Sequence, residues 1–348
     1  MIARKFRDGY MQQWNVDLQY EVGPNWMVDL AYVGSKGTHL PDPIDLNQTN
    51  PATGVSPYPQ FSSILDVESR SDSLYHGMQF RSEKRVGRDL AFLASYTFSK
   101  SIDDVSAVLG GSVGSGLPQD SNNLRGERAL SDFNATHRAV LSMVYDLPLD
   151  RKAGGQPGLR RFLLAHWQTA GILTAQTGSP FTVNLPFCLQ DQGAAAAFGA
   201  PCRPNLVANP MQAGPVTANP NPACHATLSQ GGLAADAVET PGSWFNTCAF
   251  AMPATEATGI TQFGSAGRNI LTGPSYTNLD FALSKNVPLH TEGRRLQLRG
   301  EFFNIFNHPN FDIPSHVFGS ANFGEVLSAN AYGTRPPRQI QVGLKYVF

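Results

Sequence analysis

The side chains that could do chemistry in this sequence are its eight histidines and a neighbouring pair of aspartates. Catalysis and metal binding need such groups at set spacings, for example HExxH for zinc or GxSxG for a nucleophilic serine. Neither pattern occurs, and the histidines are scattered over predicted strand ends and loops, so we expect no enzyme, no metal site and no cofactor. Asp103 and Asp104 could bind calcium, but two carboxylates without further ligands favour a strand-capping or solvated role.

Four cysteines are the other reactive side chains, and all of them lie in one stretch between predicted strands. Their spacings are too wide for a CxxC zinc site. An even number in one exported loop suggests disulfides, with three possible connectivities, while four incidental loop cysteines are the alternative. The residues are Cys188, Cys202, Cys224 and Cys248.

The composition favours a chain with many turns and few charges. Charged residues make up 15% of the 348 residues, the net charge is −1, and Gly (33) and Pro (25) are plentiful. This charge gives no case for binding nucleic acid. No apolar run approaches the roughly 18 residues of a transmembrane helix, which leaves a membrane β-barrel open, because the strands of a barrel alternate in hydropathy.

Alternation of apolar and polar residues with a period of two predicts nine β-strands. The first of them alternates without an error and is followed by a Gly23-Pro24-Asn25 turn. Most of the strands span roughly ten residues, the length that a tilted strand needs to cross a bilayer. The predicted strands cover 14–22, 26–32, 74–84, 90–99, 137–147, 167–177, 276–287, 295–306 and 338–348.

The connections between these strands alternate in length. Those near Pro24, Arg88 and Thr291 are short and the one over 148–166 is moderate, whereas the intervening four are long. Membrane barrels show this asymmetry, with tight periplasmic turns and long extracellular loops. The long connections cover 34–73, 100–136, 178–275 and 307–337, and 178–275 far exceeds an ordinary connection, which suggests either function or disorder.

The two faces of the predicted strands differ as lipid and water would require. On the first two strands the apolar face places aromatic rings at both ends and aliphatic side chains between them, a double aromatic girdle formed by Trp14, Tyr20, Trp26 and Tyr32. The opposite face is polar and would line a hydrated lumen, although cross-strand ion pairs that keep a wide lumen polar are the simpler interpretation. Its candidate residues are Asp17, Gln19, Arg81, Glu83, Arg299 and Glu301.

The strand count predicts that the chain is the C-terminal part of a larger barrel. Bacterial single-chain barrels normally have an even number of strands, and a barrel with a plugged lumen has about 22. Residues 1–10 also lack the apolar region of a signal peptide. We therefore expect an all-β antiparallel transmembrane β-barrel fragment of about nine strands over 1–348, without plug or N-terminal domains, that forms an open sheet with two edges.

Several blocks of the sequence carry a family resemblance. They are LQLRGEFFNIFNHPNF at 296–311 and the segments 31–40, 95–104, 123–128, 131–133 and 336–344. These blocks resemble Oar-like TonB-dependent receptors, the carboxypeptidase-regulatory-like group abundant in Acidobacteria, and the resemblance spans nearly the whole chain and is weakest over 185–265. It implies a receptor in the outer membrane of a Gram-negative bacterium, driven by the TonB–ExbB–ExbD complex through an N-terminal part that has no counterpart here.

The last strand resembles the C-terminal β-signal that the outer-membrane barrel insertion machinery reads. Its alternation closes on a terminal aromatic residue through Ile340, Val342, Leu344, Tyr346 and Phe348. Two functions remain open: energised uptake of a large nutrient such as an oligosaccharide, peptide or chelate, and a secretion or surface-adhesion role without energised uptake. The long loop would grip ligand in the first case, and a tolerated surface insertion is the alternative.

Overall fold

Fourteen β-strands make up nearly all the regular structure of the described residues. The structure is a computed structural model that describes residues 5–87, 89–107, 116–149, 158–191, 199–219, 236–289, 294–329 and 337–348. The strands are β1 (Tyr10–Gly23), β2 (Trp26–Asp45), β3 (Leu65–Val86), β4 (Leu90–Asp103), β5 (Ala129–Leu130), β6 (His137–Asp146), β7 (Trp167–Gln176), β8 (Pro180–Phe181), β9 (Asn205–Leu206), β10 (Phe250–Ala251), β11 (Leu271–Thr272), β12 (Tyr276–Pro288), β13 (Arg295–Phe303) and β14 (Gln339–Val347).

Nine of these strands form one antiparallel sheet. Its order is β1-β2-β3-β4-β6-β7-β12-β13-β14, and the two-residue strand β5 pairs with the end of β4. All nine correspond to strands predicted from the sequence, so the all-β antiparallel fold is confirmed. Within the described residues β1 and β14 are the two edges of this sheet, and their side chains are exposed along nearly their whole length.

The register of the ladder keeps one face of the sheet apolar from strand to strand. Leu18 lies opposite Leu30, Leu30 opposite Phe80, and Phe80 opposite Tyr96. Because side chains alternate with a period of two, the intervening positions form the other, polar face, on which Asp29 lies opposite Arg81. These two surfaces are called the apolar face and the polar face below.

The strands β2 and β3 continue past their regular alternation, which makes the first long connection shorter than predicted. Their pairing leaves a connection of only residues 46–64. The register shifts on both sides of Leu40, beside His39, whose φ of 59° is left-handed. This bulge, together with Pro41 and Pro43, breaks the period-two pattern, which is why the sequence did not reveal the extension.

The strand β13 ends three residues before its predicted end. After Phe303 the chain turns, and Asn304 and Asn307 adopt left-handed backbone angles (φ 49° and 52°). The Asn304 side chain accepts a hydrogen bond from the His308 N–H and donates one to the His308 carbonyl, each at 2.9 Å. Asparagine favours such local side-chain-to-backbone bonds over the ladder, so the apolar residues beyond Phe303 do not extend the strand.

The two ends of the sheet differ in how their strands are connected. The connections 24–25, 87–89, 147–166 and 289–294 lie at one end, called the short-turn end, and the other four lie at the long-loop end. At the short-turn end a helix, Leu159–Leu164, precedes Trp167, the first residue of β7. Across the described ranges, no helix has both the length and the apolar character that a membrane crossing requires.

A lysine fastens that short helix to the sheet. The Lys285 ammonium donates hydrogen bonds to the carbonyls of Leu163 (3.2 Å) and Ala165 (2.9 Å) at the end of the helix. It also lies 4.9 Å from the centre of the Trp167 ring, at the distance of a cation–π contact. These contacts stabilise the cation because helix C-termini present unpaired carbonyl groups.

The long-loop end carries a hydrophobic core of its own, separate from the sheet. Strand pairs β8–β11 and β9–β10 bring its segments together. Residues from 178–275, which is called the long loop, form most of this core, and the connection after β13 supplies the rest. The loop core consists of Phe181, Val183, Leu185, Cys188, Cys202, Phe245, Ala249, Phe250, Ala266, Leu271, Phe318 and Phe323. The described residues of the long loop are therefore folded and not disordered.

Close backbone approaches allow the long loop to fold so tightly. A Cβ atom added at Gly264 would lie 1.9 Å from the carbonyl oxygen of Arg203, and one at Gly178 would lie 1.8 Å from the carbonyl oxygen of Gly273. Both obstacles are backbone atoms, which cannot move aside as a flexible side chain can. Glycine is required at these two positions by contact.

We expect Gly264→Ala to destabilise the loop core by about 1–3 kcal/mol, the usual cost of overpacking. Gly242→Ala is the matched control in the same loop, because nothing lies within 4 Å of a Cβ added there. Limited proteolysis of the purified protein over a temperature series measures the effect. Equal cleavage temperatures for the two variants would contradict this account.

The C-terminal strand allows a second prediction. Its apolar positions from Ile340 to Phe348 are exposed on one face, and the Phe348 ring stacks on Tyr346. Deletion of Phe348 should lower the amount of protein assembled in the outer membrane without changing ligand binding by the assembled fraction. Phe348→Tyr, which keeps the aromatic ring, is the control. Heat-modifiable mobility on gels measures assembly, and wild-type levels for the deletion would count against an assembly signal.

Candidate functional site

The centre of the long-loop end is a buried ion pair between Arg203 and Glu127. The guanidinium donates two parallel hydrogen bonds to the carboxylate, of 2.7 and 3.0 Å, and a third of 2.8 Å from Nε to the carbonyl of Ala266. The two side chains are only 5% and 4% exposed. Two parallel hydrogen bonds constrain the relative orientation of the two side chains as well as pairing their charges. The pair therefore constrains how the long loop packs against the connection 104–136.

A second arginine of the long loop joins it to the end of the sheet. Arg268 forms an ion pair with Asp103, the last residue of β4, and also donates to the Asp103 carbonyl at 2.7 Å. Its Nη1 donates to the Ser106 hydroxyl at 3.1 Å, and its Nε to the Glu127 carbonyl at 2.8 Å. Arg268 therefore anchors the loop core directly to a strand of the barrel wall.

One glutamine, through its side chain and its backbone, connects three of the loop segments. Gln119 donates from Nε2 to the Gly264 carbonyl at 3.0 Å, and its Oε1 accepts the Arg203 N–H at 2.8 Å. Its backbone N–H binds Glu127 at 2.9 Å, and its carbonyl accepts from Gln48 at 2.9 Å. The side-chain amide nitrogen and oxygen and the backbone N–H and carbonyl of Gln119 are thus all hydrogen-bonded. In the protein interior an unpaired polar group would be costly, because the local dielectric constant is low.

A small polar cavity lies beside these arginines in the described part of the chain. Its volume is about 30 Å³, and Asp104, Thr182, Asn184, Arg203 and Arg268 contribute to its wall. A cavity of this size has room for only a few water molecules. The cluster therefore serves to hold the loops together, and a large ligand would have to contact the outer surfaces of the loops.

The aspartates considered for calcium are both engaged in this network. Asp103 is paired with Arg268. Asp104 accepts a hydrogen bond from the Asp72 N–H at 2.8 Å and faces Arg128 at 3.4 Å. Among the residues that the structure describes, no group of three or more His, Cys, Asp or Glu side chains is placed to hold a metal.

One histidine of the long-loop end is partly buried. His316 contacts Phe181 of the loop core, and a ring nitrogen of His316 lies 3.2 Å from the Pro314 carbonyl. Burial lowers the pKa of His316 below its usual value, with opposing contributions from the Pro314 carbonyl and from Asp312. The imidazole therefore packs against the edge of the loop core.

The residues predicted to line a lumen all lie on the polar face. Arg81 bonds Glu83 at 3.0 Å and Arg299 bonds Glu301 at 2.7 Å, each pair within one strand. These ion pairs are partly exposed, so each contributes little to stability. Asp17 and Gln19 follow the same alternation on β1, where Gln19 lies opposite Asp29. That this face lines a lumen stays a prediction.

The four girdle residues lie on the apolar face. Tyr20 and Trp26 are near the short-turn end, whereas Trp14 and Tyr32 lie further along the strands, and β2 continues past Tyr32 to Asp45. Trp14 lies over Gly34, where an added Cβ would overlap the indole ring. The Tyr32 hydroxyl bonds His76 at 2.7 Å, and the Trp26 indole N–H donates to Ser82 at 3.0 Å. Tyr20 is exposed. Aromatic rings whose polar atoms are bonded at the rims of an apolar face suit a membrane interface.

The cysteines of the long loop have different surroundings. A disulfide joins Cys188 to Cys202, both in the loop core. Cys248 is buried against Val216. Cys224 lies outside the described residues. The two disulfide-bonded cysteines are 14 residues apart in sequence. In the chain-entropy account, a disulfide across a loop of this length lowers the entropy of the unfolded chain and so stabilises the folded state by about 3 kcal/mol.

Known proteins now place this sheet in a family. The outer membrane beta barrel domain family matches residues 1–341, and the chain belongs to that family. No curated protein matches the sequence. The family and the two-faced antiparallel sheet together make this an outer-membrane β-barrel protein.

One solved outer-membrane transporter has a similar fold, and two others match with lower scores. The transporter YddB from Escherichia coli matches with 12% identity and a TM-score of 0.50, over 99% of this chain and 33% of its own. The FrpB iron transporter from Neisseria meningitidis (F3-3 variant) matches with 11% identity and a TM-score of 0.41, over 100% and 32%. The copper transporter OprC matches with 9% identity and a TM-score of 0.39, over 99% and 32%. The chain thus spans about a third of the length of each of these proteins.

The arginine network was not among the features predicted from the sequence. A signal for it was nevertheless present: Arg203 and Arg268 are the only Lys or Arg residues in the long loop. A cation that occurs so rarely in a large, nearly uncharged segment is more informative than one on an ordinary surface. Their carboxylate partners, Glu127 and Asp103, lie in a different connection and at the end of another strand, so spacing could not identify them.

We expect Glu127→Gln to destabilise the loop core by about 3–5 kcal/mol, because it leaves the buried Arg203 charge without a partner. Glu83→Gln is the matched control, since the Arg81–Glu83 pair is exposed (49% and 37%) and should cost less than about 1 kcal/mol. Thermal unfolding of both variants in detergent, followed by protease sensitivity of the long loop, measures the difference. A loop core equally stable in the two variants would refute the central role of this pair.

Proposed function

We propose that this protein forms part of the wall and mouth of a TonB-dependent outer-membrane receptor that takes up a large nutrient. The nutrient class is an oligosaccharide, a peptide or a metal chelate, and the energy comes from the TonB–ExbB–ExbD complex of the inner membrane. The Oar-like group is part of this proposal, and it rests on the sequence blocks that run from residue 31 to residue 344.

The observation that carries the proposal is the folded long loop at one end of the sheet. Its loop core is fixed to the barrel wall by Arg268 and Asp103, and to a second connection by Arg203 and Glu127. A loop held by buried ion pairs keeps one shape, and ordered loops at a barrel mouth are suited to ligand recognition. A tolerated surface insertion has no need of such anchoring.

Exposed aromatic rings on the long connections supply a surface for the ligand. Large rings that remain open to solvent can stack on sugar rings, peptide planes or aromatic chelators. Such rings lie on four different connections at the long-loop end, as a multi-point contact with a large ligand requires. They are Tyr58, Phe61, Phe133, Phe187 and Phe306.

The first test removes the long loop. Deletion of residues 185–265 from the receptor should abolish energised uptake while the barrel remains in the outer membrane. A second variant, Tyr58→Ser with Phe61→Ser, keeps the loop core and should weaken ligand binding about ten-fold or more, since each stacked ring contributes roughly 1 kcal/mol. Uptake of labelled nutrient by cells, with and without TonB, is the measurement.

Two outcomes would contradict the proposal. Uptake unchanged by the deletion would make the long loop a tolerated insertion. Binding to cells or surfaces that is independent of TonB, with no uptake in any strain, would favour the secretion or adhesion role. Phe133→Ser, which changes an exposed ring on a different connection, shows whether all the rings act together.

A further inference from the structure

Two buried carboxyl groups face each other where the first connection meets the long loop. Asp45 ends β2 and Asp191 lies within the loop closed by the Cys188–Cys202 disulfide, and they are 2% and 1% exposed. Their side chains lie within hydrogen-bonding reach of each other. The neighbouring backbones are joined as well, since the Thr49 N–H donates to the Gln190 carbonyl at 2.8 Å.

Three of the four carboxylate oxygens in this pair have no hydrogen-bond donor. Asp45 Oδ1 accepts the N–H groups of Asn47 and Ile64, both at 2.8 Å. Asp45 Oδ2 and both oxygens of Asp191 have no donor in the described part of the chain. Buried polar atoms without partners are rare in folded proteins, so these three oxygens require an explanation.

Three other buried carboxylates of the long-loop end are paired with arginine. Asp42 pairs with Arg70 at 2.9 Å, Glu127 with Arg203, and Asp103 with Arg268. The Asp45–Asp191 pair differs, because within the described residues no arginine, lysine or histidine contributes to the pKa of Asp191. The described part of the fold thus supplies a cation to those three carboxylates and none to this pair.

Two facing carboxylates can be neutralised by a proton or by a metal cation. Burial, and then the nearby Asp45 carboxyl, raise the pKa of Asp191 to about 8, so that without a cation the pair holds a proton at neutral pH. A divalent cation competes with that proton and satisfies all three oxygens at once, whereas a shared proton satisfies fewer.

We propose that Asp45 and Asp191 bind a calcium ion that joins the first connection to the long loop. The open ligand atoms are hard carboxylate oxygens, without nitrogen or sulfur, as Ca²⁺ prefers. Two carboxylates balance its charge, and its remaining ligands would be backbone carbonyl groups and water. Mg²⁺ gives up its water ligands reluctantly, so a site formed by two buried carboxyl groups suits Ca²⁺ better.

The test is calcium binding by the purified protein in detergent at pH 7.5. Wild-type protein should bind Ca²⁺ in calorimetry and show a melting temperature at least about 3 °C higher in Ca²⁺ than in chelator. Asp191→Asn and Asp45→Asn should both lose the binding and the shift. Asp236→Asn, which changes an exposed acid of the same loop, should keep both.

The variants also distinguish a metal site from a folding defect. Asp191→Asn removes the cost of keeping a buried carboxyl group protonated at pH 7.5, so in chelator it should be at least as stable as wild type. Calcium binding that survives in Asp45→Asn and Asp191→Asn, or a wild-type protein that does not respond to Ca²⁺, would overturn the proposal. Mg²⁺ at the same concentration should give a smaller shift, and an equal shift would overturn the choice of metal.

A shared proton alone gives a different pattern. Because the pKa of folded Asp191 lies above that of the unfolded chain, its contribution is complete at pH values below the unfolded pKa of about 4 and is lost as the pH rises to about 8. Wild-type stability in chelator should fall over that range, and Asp191→Asn should remove this contribution. If Ca²⁺ fails to restore the stability of the wild type at pH 8, the pair is a proton site and the proposal fails.

Discussion

Backbone N–H and C=O groups inside a hydrocarbon layer have no water to bind, so each of them needs a partner in the neighbouring strand. This requirement determines the architecture of the chain. Pairing fixes a period of two, and the period sorts side chains into one face for lipid and one for water. The continuous row from Leu18 through Leu30 and Phe80 to Tyr96 follows from it. A shift of one residue in β3 would turn Arg81 toward the apolar side.

The long-loop end follows different rules because it is not bound by the bilayer. Its segments combine a small aromatic core around Phe245 with ion pairs that bury Arg203 and Arg268. Buried ion pairs contribute little net stability, because desolvation offsets much of their attraction. They do select one arrangement, since any other docking of the long loop would leave a charge without a partner. The loop core supplies stability and the arginines supply specificity.

The strands could be predicted from the sequence because the information that forms them is local. Nine segments with a period of two became nine strands, and the turn at Asn25, with its left-handed φ, joins β1 and β2. The predictions were wrong where the local pattern fails: at the bulge beside His39, and at Asn304, whose side chain ends β13 early. The loop core could not be predicted, because it joins residues as distant as Phe181 and Phe323. No period links such positions, and their contacts depend on the sheet being already formed.

The hydrogen bonds of Gln119 constrain how the sequences of the connected loops can evolve. Surface loops of bacterial envelope proteins can diversify independently only when a substitution in one leaves the others undisturbed. Gln119 joins its own connection to Gln48 of the first one and to Gly264 of the long loop. Sequence drift should therefore spare this junction and accumulate at the exposed tips, such as residues 51–60.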